Sequence, residues 1–409
     1  MAVSVKEAIE LINKEISSTT YEIITIEESS GRISANNINS TYVMPRFNNS
    51  AMDGYGVKLD DCNKTVEVID TILAGSQKTT GIENGKCIKI MTGARVPSCV
   101  DAIVPQELVT IIDDNTIQLP ADIQKLAHIR FMGEDIELDE KLINIGDEIN
   151  YAKITLLASQ GITHIKVYKK TKVTVFASGE ELKLHYDKVI EEYQLFNSNT
   201  PTLIARVKEL GCDITFVGMA KDSVESLKEL IINSLDSDLI ITSGGVSVGE
   251  ADFTKEAFDS LNMKTIFSGI IIKPGKPTIL GKINNTTILN LPGNPLASSL
   301  IFEMFGKLIV QNLSGSNKIY HNTIKAKMQE DMKNKKGRIT IIPGYFDGEF
   351  FSPSDKRSPG MVKVLNDCNS MIVLDEEVSA LKKEQIVNVL PIDWKFFSQT
   401  DKDFLTYER

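Results

Sequence analysis

Residues 172–313 alternate compact apolar runs with segments of helical periodicity, and this alternation constrains the fold more than any other feature of the chain. One intervening segment opens at Asp222 with Glu225 three residues on, the pattern of an N-capped helix with a buried face. The apolar runs are Val173–Phe176, Ile214–Val217, Leu239–Thr242 and Thr287–Leu291. We therefore predict a doubly wound, mostly parallel α/β domain in this half of the chain.

The regions on either side of this domain have a different pattern of apolar and turn-forming residues. Ser4 and Glu7 form a capping box that predicts an amphipathic helix at the start. Short β-like runs such as Thr65–Ile69 and Lys86–Ile90 follow, broken by Gly, Pro and Asn. After about Leu313 the strand pattern returns, most clearly in Gly337–Ile342, Met371–Leu374 and Ile386–Leu390. The predicted order is β-rich, α/β, β.

Composition excludes several classes of function. A chain of 409 residues with 42% apolar side chains exceeds what one core usually organises. A net charge of −10 without a basic stripe disfavours nucleic acid as a partner. Five isolated cysteines and four isolated histidines argue against a disulfide framework and a zinc site, which indicates a reducing cytoplasm and places any metal on carboxylates. No apolar run reaches the roughly 20 residues of a membrane helix, and we expect no standard secretion signal.

A glycine-rich segment follows the apolar run at Leu239. In an open α/β sheet, ligands bind beyond the carboxyl ends of the strands. The Gly-Gly pair lets a phosphate approach the main chain, and Asp252 stands where a Mg²⁺ ligand would meet that phosphate. A plain turn followed by a helix capped by Asp252 is the alternative. The candidate substrate-binding residues here are Ser243, Gly244, Gly245 and Ser247.

Two further segments of the predicted α/β domain look like strand ends of the same kind. The run Leu291–Pro295 contains Pro292, Gly293 and Asn294, which combine fixed φ, a permissive glycine and a side chain that both donates and accepts. The run Ile272–Pro277 holds Lys273 and Lys276 on a stiff turn, as recognition of a fixed anion requires. A solvated surface loop is the alternative for the lysines.

Three acidic residues are candidates for a metal site. Glu181 follows the run Val173–Phe176, Asp222 follows Ile214–Val217, and Asp252 follows the glycine-rich segment. All three would lie at one sheet edge, where Mg²⁺ could take their oxygens and leave positions for phosphate. For Asp222, helix capping alone is an alternative explanation.

Several strings then identify a family resemblance. They are NNSAMDGYGV at 48–57, IMTGARVP at 90–97, SGGVSVGEAD at 243–252, KPGKP at 273–277 and LPGNP at 291–295. In order and approximate spacing they resemble the signature of the MoeA proteins and the gephyrin E domain, across nearly the whole chain. The string Asn197-Ser-Asn199 is a further match.

The resemblance implies an elongated homodimer of four-domain protomers with the active site between protomers. Its α/β domain would resemble the MogA adenylyltransferase. The implied division is residues 1–42 and 129–170 for a discontinuous domain I, 43–128 for domain II, 171–313 for domain III and 314–409 for domain IV. Transient contact with other enzymes of molybdenum-cofactor synthesis is also expected.

The family reaction inserts molybdate into adenylylated molybdopterin and releases AMP and molybdenum cofactor, with help from a divalent cation, here Mg²⁺. By motif position the resemblance assigns catalysis to Asp53, Thr92, Glu181, Asp222 and Asp252, and the molybdate pocket to Lys273, Arg338 and Ser358. One departure is Gly269, which stands where many members carry a second pocket lysine. Lys276 or Arg357 could compensate, and Gly269→Lys should strengthen molybdate binding unless the glycine has a positive φ.

Two other functions fit parts of this pattern. A gephyrin-like scaffold or peptide-binding module shares the fold, but this chain lacks the long linker and second folded module of such a scaffold. A MogA-like molybdopterin adenylyltransferase shares the α/β domain, but it lacks the motifs around Asp53 and Thr92. We therefore expect a molybdopterin molybdenumtransferase.

Overall fold

The computed structural model describes residues 2–18, 20–244 and 251–393, the last range without the side chains of residues 251 and 252. The chain forms two compact units. One comprises the residues up to 36, 145–151 and the residues from 164 onward, and the other comprises 37–144 and 152–163. Within the described ranges, no helix combines the length and apolar character needed to cross a bilayer.

The smaller unit is built on a six-stranded sheet. Its core contains Val57, Ile72, Ile88 and Ile103, on strands whose inward side chains are fully or almost fully buried. In spatial order the strands are Ala102–Pro105, Gly54–Val57, Lys86–Ile90, Thr65–Ile72, Thr116–Gln118 and Thr110–Asp113. Asn49–Ser50 pairs with Ile129–Arg130, Ile38–Asn39 pairs with Lys141–Ile143, and a helix spans Tyr151–Ser159. The β-rich prediction for this region is confirmed.

The larger unit begins with the helix Val5–Glu15. The Ser4 hydroxyl accepts from the Glu7 backbone N–H, and the Glu7 carboxylate accepts from the Ser4 N–H, so the predicted capping box is confirmed. The helix buries Ala8 and Ile12 in the main core of this unit. The strands Tyr21–Thr25 and His164–Tyr168 then pair antiparallel.

The predicted α/β domain is confirmed as a twisted six-stranded sheet. Its strands in sequence are β1 (Lys172–Ser178), β2 (Asp213–Ala220), β3 (Leu239–Ser243), β4 (Lys264–Ser268), β5 (Ile279–Ile283) and β6 (Thr286–Leu291). The spatial order is β2-β1-β3-β6-β5-β4, in which the first four strands are parallel, β5 is antiparallel to β6, and β4 is antiparallel to β5. The carboxyl ends of β1, β2, β3 and β6 therefore lie along one edge. A small parallel pair, Leu182–Lys183 with Leu195–Phe196, follows β1.

Helices cover both faces of this sheet. They are α1 (Asn199–Glu209), α2 (Val224–Ile232), α3 (Ala251–Ser260) and α4 (Pro295–Ile301), and α4 continues through a π-helical turn at Phe302–Gly306 into Lys307–Leu313. The sequence prediction that Asp222 caps α2 is wrong. Ser223 is the N-cap, because its hydroxyl accepts from the Ser226 backbone N–H and α2 starts one residue later than the pattern suggested. The Asp222 carboxylate is thus available for another role.

A buried ion pair fixes α1 against the π-helical turn. The Nε of Arg206 lies 2.7 Å from one oxygen of Glu303, and a terminal nitrogen of Arg206 lies 3.0 Å from the other. Glu303 is 5% exposed, and Lys307 approaches it to 3.2 Å. A two-point contact of this kind restrains both position and orientation, so α1 has a defined place above the sheet.

The C-terminal region is a second, closed sheet, as the predicted return to strands requires. Its strands are Ile324–Met328, Ile339–Phe346, Phe350–Pro353, Ser370–Leu374 and Ile386–Pro391, accompanied by the pair Met332–Lys333 with Ala380–Leu381 and the helix Lys363–Asp367. Ile339–Phe346 pairs with both Phe350–Pro353 and Ser370–Leu374, which closes the five strands into a barrel. The barrel has its own core around Phe351 and Val389.

One prediction for the α/β domain fails at this point. Ile272–Lys273 is not a strand end of the α/β sheet. It pairs in parallel with Ile339–Phe346 of the barrel, with Lys273 opposite Thr340. The segment leaves the α/β sheet after β4 and returns to it at β5, a long-range pairing that local sequence does not reveal.

Candidate active site at the carboxyl edge of the sheet

Three strand-end loops meet at the carboxyl edge of the α/β sheet. Gly244 follows β3 in the chain and lies close to the end of β1. A Cβ on Gly244 would lie 2.4 Å from the carbonyl oxygen of Ser178. A Cβ on Gly293, after β6, would lie 3.4 Å from the Gly244 Cα. The structure therefore brings together Gly244 and Gly293, two of the predicted substrate-binding residues. Ser243 and Pro292 are buried beside them, whereas Gly293 and Asn294 are exposed.

Asn199, at the start of α1, joins two of these loops. Its amide nitrogen donates to the Ser243 hydroxyl at 3.0 Å and to the Gly293 carbonyl at 2.7 Å. Asn199 is 8% exposed, so both bonds are shielded from water. Sequence reasoning did not assign Asn199 to the site, although the string Asn197-Ser-Asn199 was among the family matches. A polar residue opening a helix beside a strand end was the available signal.

A backbone contact joins two of the acid-bearing loops at this edge. The Asp222 carboxylate accepts from the backbone N–H of Glu180 at 3.1 Å, which joins the loops after β2 and β1. The neighbouring Glu181 is exposed, and its carboxylate folds back to 2.7 Å from where a Cβ on Gly179 would stand. Among the described side chains, no group of three or more His, Cys, Asp or Glu is placed to hold a metal.

Part of the predicted site lies outside the described residues. These residues are Gly245 and Ser247, together with the Asp252 side chain. The backbone of Asp252 belongs to α3, whose described part starts at Ala251.

The barrel contributes a turn to the start of α4. The backbone N–H of Leu296 donates to the Pro359 carbonyl at 2.9 Å. A Cβ on Gly360 would lie 3.6 Å from the side-chain oxygen of Asn294, and the carbonyl of the exposed Ser358 accepts from Met361 in the same turn. Ser358 and Asn294, both predicted substrate-binding residues, thus belong to adjacent segments. Arg357 is half-buried and donates to the Ser354 carbonyl.

The lysine-bearing segment reaches the same helix from another side. Gly275 packs so tightly on α4 that a Cβ there would overlap the Ile301 side chain at 2.1 Å. Lys273 and Lys276 on either side of it are exposed. Lys273 lies opposite Thr340, and the exposed Arg338 immediately precedes the strand Ile339–Phe346. The pairing therefore brings Lys273 and Arg338 to one region of the larger unit.

Gly269 has a backbone conformation that excludes a lysine. Its φ is +97°, and a Cβ would meet Ala2 at 3.2 Å. Its carbonyl also accepts from the Val3 backbone N–H, and its N–H donates to the Thr278 carbonyl. The condition attached to Gly269→Lys is therefore not met, and we expect that substitution to strain the fold rather than to add a useful cation.

In the smaller unit, Asp53 and Thr92 are hydrogen-bonded to each other. One oxygen of the Asp53 carboxylate accepts from the Thr92 backbone N–H at 2.8 Å and from the Thr92 hydroxyl at 2.7 Å. These two bonds lower the pKa of Asp53, the backbone bond contributing most. Both residues are exposed. The pair thus presents an ionised carboxylate in a fixed orientation.

A cavity of about 250 Å³ lies elsewhere in the larger unit. Its walls include Arg32, Thr171, Gly211 and Cys212, next to the residues that begin β1 and β2. That is the amino edge of the sheet, opposite the strand ends described above. None of the predicted site residues that the structure describes lines this cavity.

Comparison with known proteins agrees with this arrangement. Residues 3–161 match the family model of the MoeA N-terminal region (domain I and II), and residues 174–311 match that of a probable molybdopterin binding domain. A molybdopterin molybdenumtransferase of Staphylococcus epidermidis is 32% identical, with 97% of each chain covered. One of Haemophilus influenzae is also 32% identical, with 92% of this chain and 95% of that protein covered.

A solved structure shows the same architecture over the full length. The molybdopterin biosynthesis MoeA protein from Pyrococcus horikoshii superposes with a TM-score of 0.80 at 27% identity, covering 97% of this chain and 100% of that one. Two family models together span the smaller unit and the α/β domain, and the relatives match from end to end. This chain therefore belongs to the MoeA family of molybdopterin molybdenumtransferases.

Proposed function

We propose that this chain inserts molybdenum from molybdate into adenylylated molybdopterin, and that it releases AMP and molybdenum cofactor. The observation that carries the proposal is the contact of Gly244 with both Ser178 and Gly293, beside the start of α4. The backbone of Gly293, which has no side chain, is exposed there next to a helix N-terminus, an arrangement suited to a phosphoanhydride. The relatives named as molybdopterin molybdenumtransferases support the same reaction.

Carboxylates at this edge suit a hard divalent cation. Glu181, Asp222 and Asp252 would hold Mg²⁺, because all three supply oxygen ligands and the first two lie on loops that are joined through Glu180. The cation would stabilise the negative charge that develops at phosphorus as the phosphoanhydride is cleaved. The backbone N–H of Glu180 orients the Asp222 carboxylate for this role.

The cationic segment beside α4 suits molybdate. Lys273 pairs with the strand Ile339–Phe346, which Arg338 immediately precedes, and Ser358 belongs to the turn that packs against Asn294 and Leu296. Two cations and a hydroxyl donor provide what a tetrahedral dianion needs, and Lys276 adds a nearby charge. We assign Gly244 and Gly293 to the adenylylated substrate and Lys273, Arg338 and Ser358 to molybdate.

We propose that the chain forms a homodimer, in which Asp53 and Thr92 of one protomer complete the site of the partner protomer. Support comes from the family resemblance and from the fixed, ionised carboxylate that the pair presents. Mixing an Asp53→Asn protein with an Asp222→Asn protein should restore part of the activity in heterodimers. Failure to complement after demonstrated subunit exchange would contradict a shared site.

We also propose a cytoplasmic location, in keeping with five free cysteines.

The reaction is tested by incubating the pure protein with adenylylated molybdopterin and Mg²⁺, with and without molybdate. We expect AMP release together with molybdenum cofactor, detected by reconstitution of a molybdenum-free acceptor enzyme. Binding without turnover would indicate the scaffold alternative. Formation of adenylylated molybdopterin from ATP and molybdopterin would instead indicate an adenylyltransferase.

A further inference from the structure

Three polar side chains at the carboxyl edge of the sheet are buried without a hydrogen-bond partner in the described protein. They are the Ser178 hydroxyl, the Thr242 hydroxyl and the Asn290 amide, whose oxygen and nitrogen are both unpaired. Their exposures are 4%, 2% and 0%, respectively. Polar groups buried as deeply as these almost always have a partner, so their clustering on neighbouring strands requires an explanation.

The strand register places these groups directly beneath the site. Thr242 on β3 lies opposite Asn290 on β6, and in paired parallel strands such neighbours project from the same face. Thr242 is two residues before Gly244, and Asn290 is two residues before Pro292. Ser178 is on the same face at the end of β1, with its hydroxyl 3.1 Å from where a Cβ on Gly244 would stand. We call Ser178, Thr242 and Asn290 the polar floor.

The polar floor replaces apolar core with unpaired polar atoms. Further down the same strands this face is occupied by Phe176, Ile240 and Ile288, which pack against α2 and α3. An unpaired hydroxyl or amide in such a place costs stability, and an apolar side chain of the same shape avoids that cost. A fold selected for stability alone would continue the apolar pattern to the strand ends. The cost therefore indicates a role at the site.

We propose that Thr242 and Asn290 are positioning residues for molybdenum transfer. Through ordered water they hydrogen-bond to the strand ends above them, and they hold Gly244 and Gly293 at the spacing that the substrate requires. Neither side chain is placed to touch the substrate directly, because Thr242 is 2% and Asn290 is 0% exposed. Buried polar atoms without a protein partner are commonly satisfied by ordered water. The proposal rests on the function proposed above only for its choice of assay.

The test compares Thr242 with a second threonine that is as deeply buried but lies at the amino end of its strand, away from the site. Thr287, on the same strand as Asn290 but at the amino end, is also fully buried with an unpaired hydroxyl. We would measure kcat, KM for adenylylated molybdopterin and the melting temperature of Thr242→Val, Thr242→Ser and Asn290→Leu. Thr287→Val and Thr287→Ser are the controls.

Thr242→Val and Asn290→Leu should lower kcat about tenfold, the effect of one lost hydrogen bond of ordinary strength, with little change in KM and no fall in melting temperature. Thr242→Ser should keep the wild-type kcat despite losing a methyl group. Thr287→Val should also keep the wild-type kcat.

Wild-type kcat in Thr242→Val, or an equal loss in Thr287→Val, would overturn the proposal. If Thr242→Val does not fold, Asn290→Leu against Thr287→Val decides in the same way. Absence of turnover in the wild type would refute the function, not the positioning role.

Discussion

Replacing Gly244 by alanine tests whether the contact between strand ends determines activity. Gly244 has a φ of +102°, and its missing Cβ leaves room for the Ser178 carbonyl oxygen at 2.4 Å. An alanine would therefore meet two obstacles, one in its own backbone and one in the neighbouring strand end. The obstacle from the neighbour is backbone, which cannot rotate away as a flexible side chain could.

The size of the effect follows from the geometry. Ordinary contact begins at 3.4 Å, so the two loops must separate by about 1 Å. A displacement of about 1 Å in catalytic geometry costs roughly 100-fold in rate. The unfavourable φ adds about 1–3 kcal/mol of destabilisation, and the forced repacking adds a similar amount. We expect Gly244→Ala to lose about 100-fold in turnover and to melt at a lower temperature than the wild type.

Gly348→Ala is the matched control. Its φ is +114°, but a Cβ there has nothing within 4 Å. It should share the destabilisation caused by the backbone and keep its turnover. The assay is molybdenum-cofactor formation at saturating substrate, with thermal melts of both proteins. Turnover of Gly244→Ala within a few-fold of Gly348→Ala would refute the reasoning, because the contact would then not determine the catalytic geometry.

Three further predictions concern individual side chains. Asp222→Asn should raise the Mg²⁺ concentration for half-maximal turnover at least about tenfold while the melting temperature stays within a few degrees, and an unchanged Mg²⁺ titration would exclude Asp222 as a ligand. Thr92→Ala should raise the pKa of Asp53 in an NMR titration, whereas Thr92→Ser should not. The lowered pKa of Asp53 stabilises the fold at pH values above the ordinary carboxyl pKa. The difference in stability between the wild type and Thr92→Ala should therefore vanish as the pH falls through the lowered pKa. Lys273→Ala should raise the molybdate concentration for half-maximal cofactor formation about tenfold. An equal change in Lys325→Ala, an exposed residue on a barrel strand, would point to overall charge instead.

Local patterns were sufficient for most of the fold. The apolar run Leu239–Thr242 became β3 with one residue added, because a short β-branched run is typical of a buried parallel strand. The capping box at Ser4 was found as predicted. In both cases the physical cause acts within a few residues. The chemical roles of the site residues, and the four-domain boundaries, stay predictions.

Two details needed information that local sequence does not contain. Asp222 and Ser223 are both good helix caps, and the local pattern alone does not decide which one is used. The Asp222 carboxylate accepts instead from the Glu180 backbone N–H, 42 residues away along the chain. The segment at Lys273 looked like a strand end of the nearest sheet. Its partner, Ile339–Phe346, lies in the barrel, and such a distant pairing has no local signature.

The polar floor shows a different kind of limit. Thr242 and Asn290 stand at the ends of apolar runs, where threonine is an ordinary strand residue and asparagine looks like the start of a turn. Their significance depends on two facts that only the three-dimensional structure reveals, which are their register and the lack of a hydrogen-bond partner among the described residues. Glycines and charges at the strand ends could be recognised from sequence because ligand-binding chemistry restricts the residue types. Residues that act one layer below are restricted by geometry instead, so the site extends further into the fold than its motifs indicate.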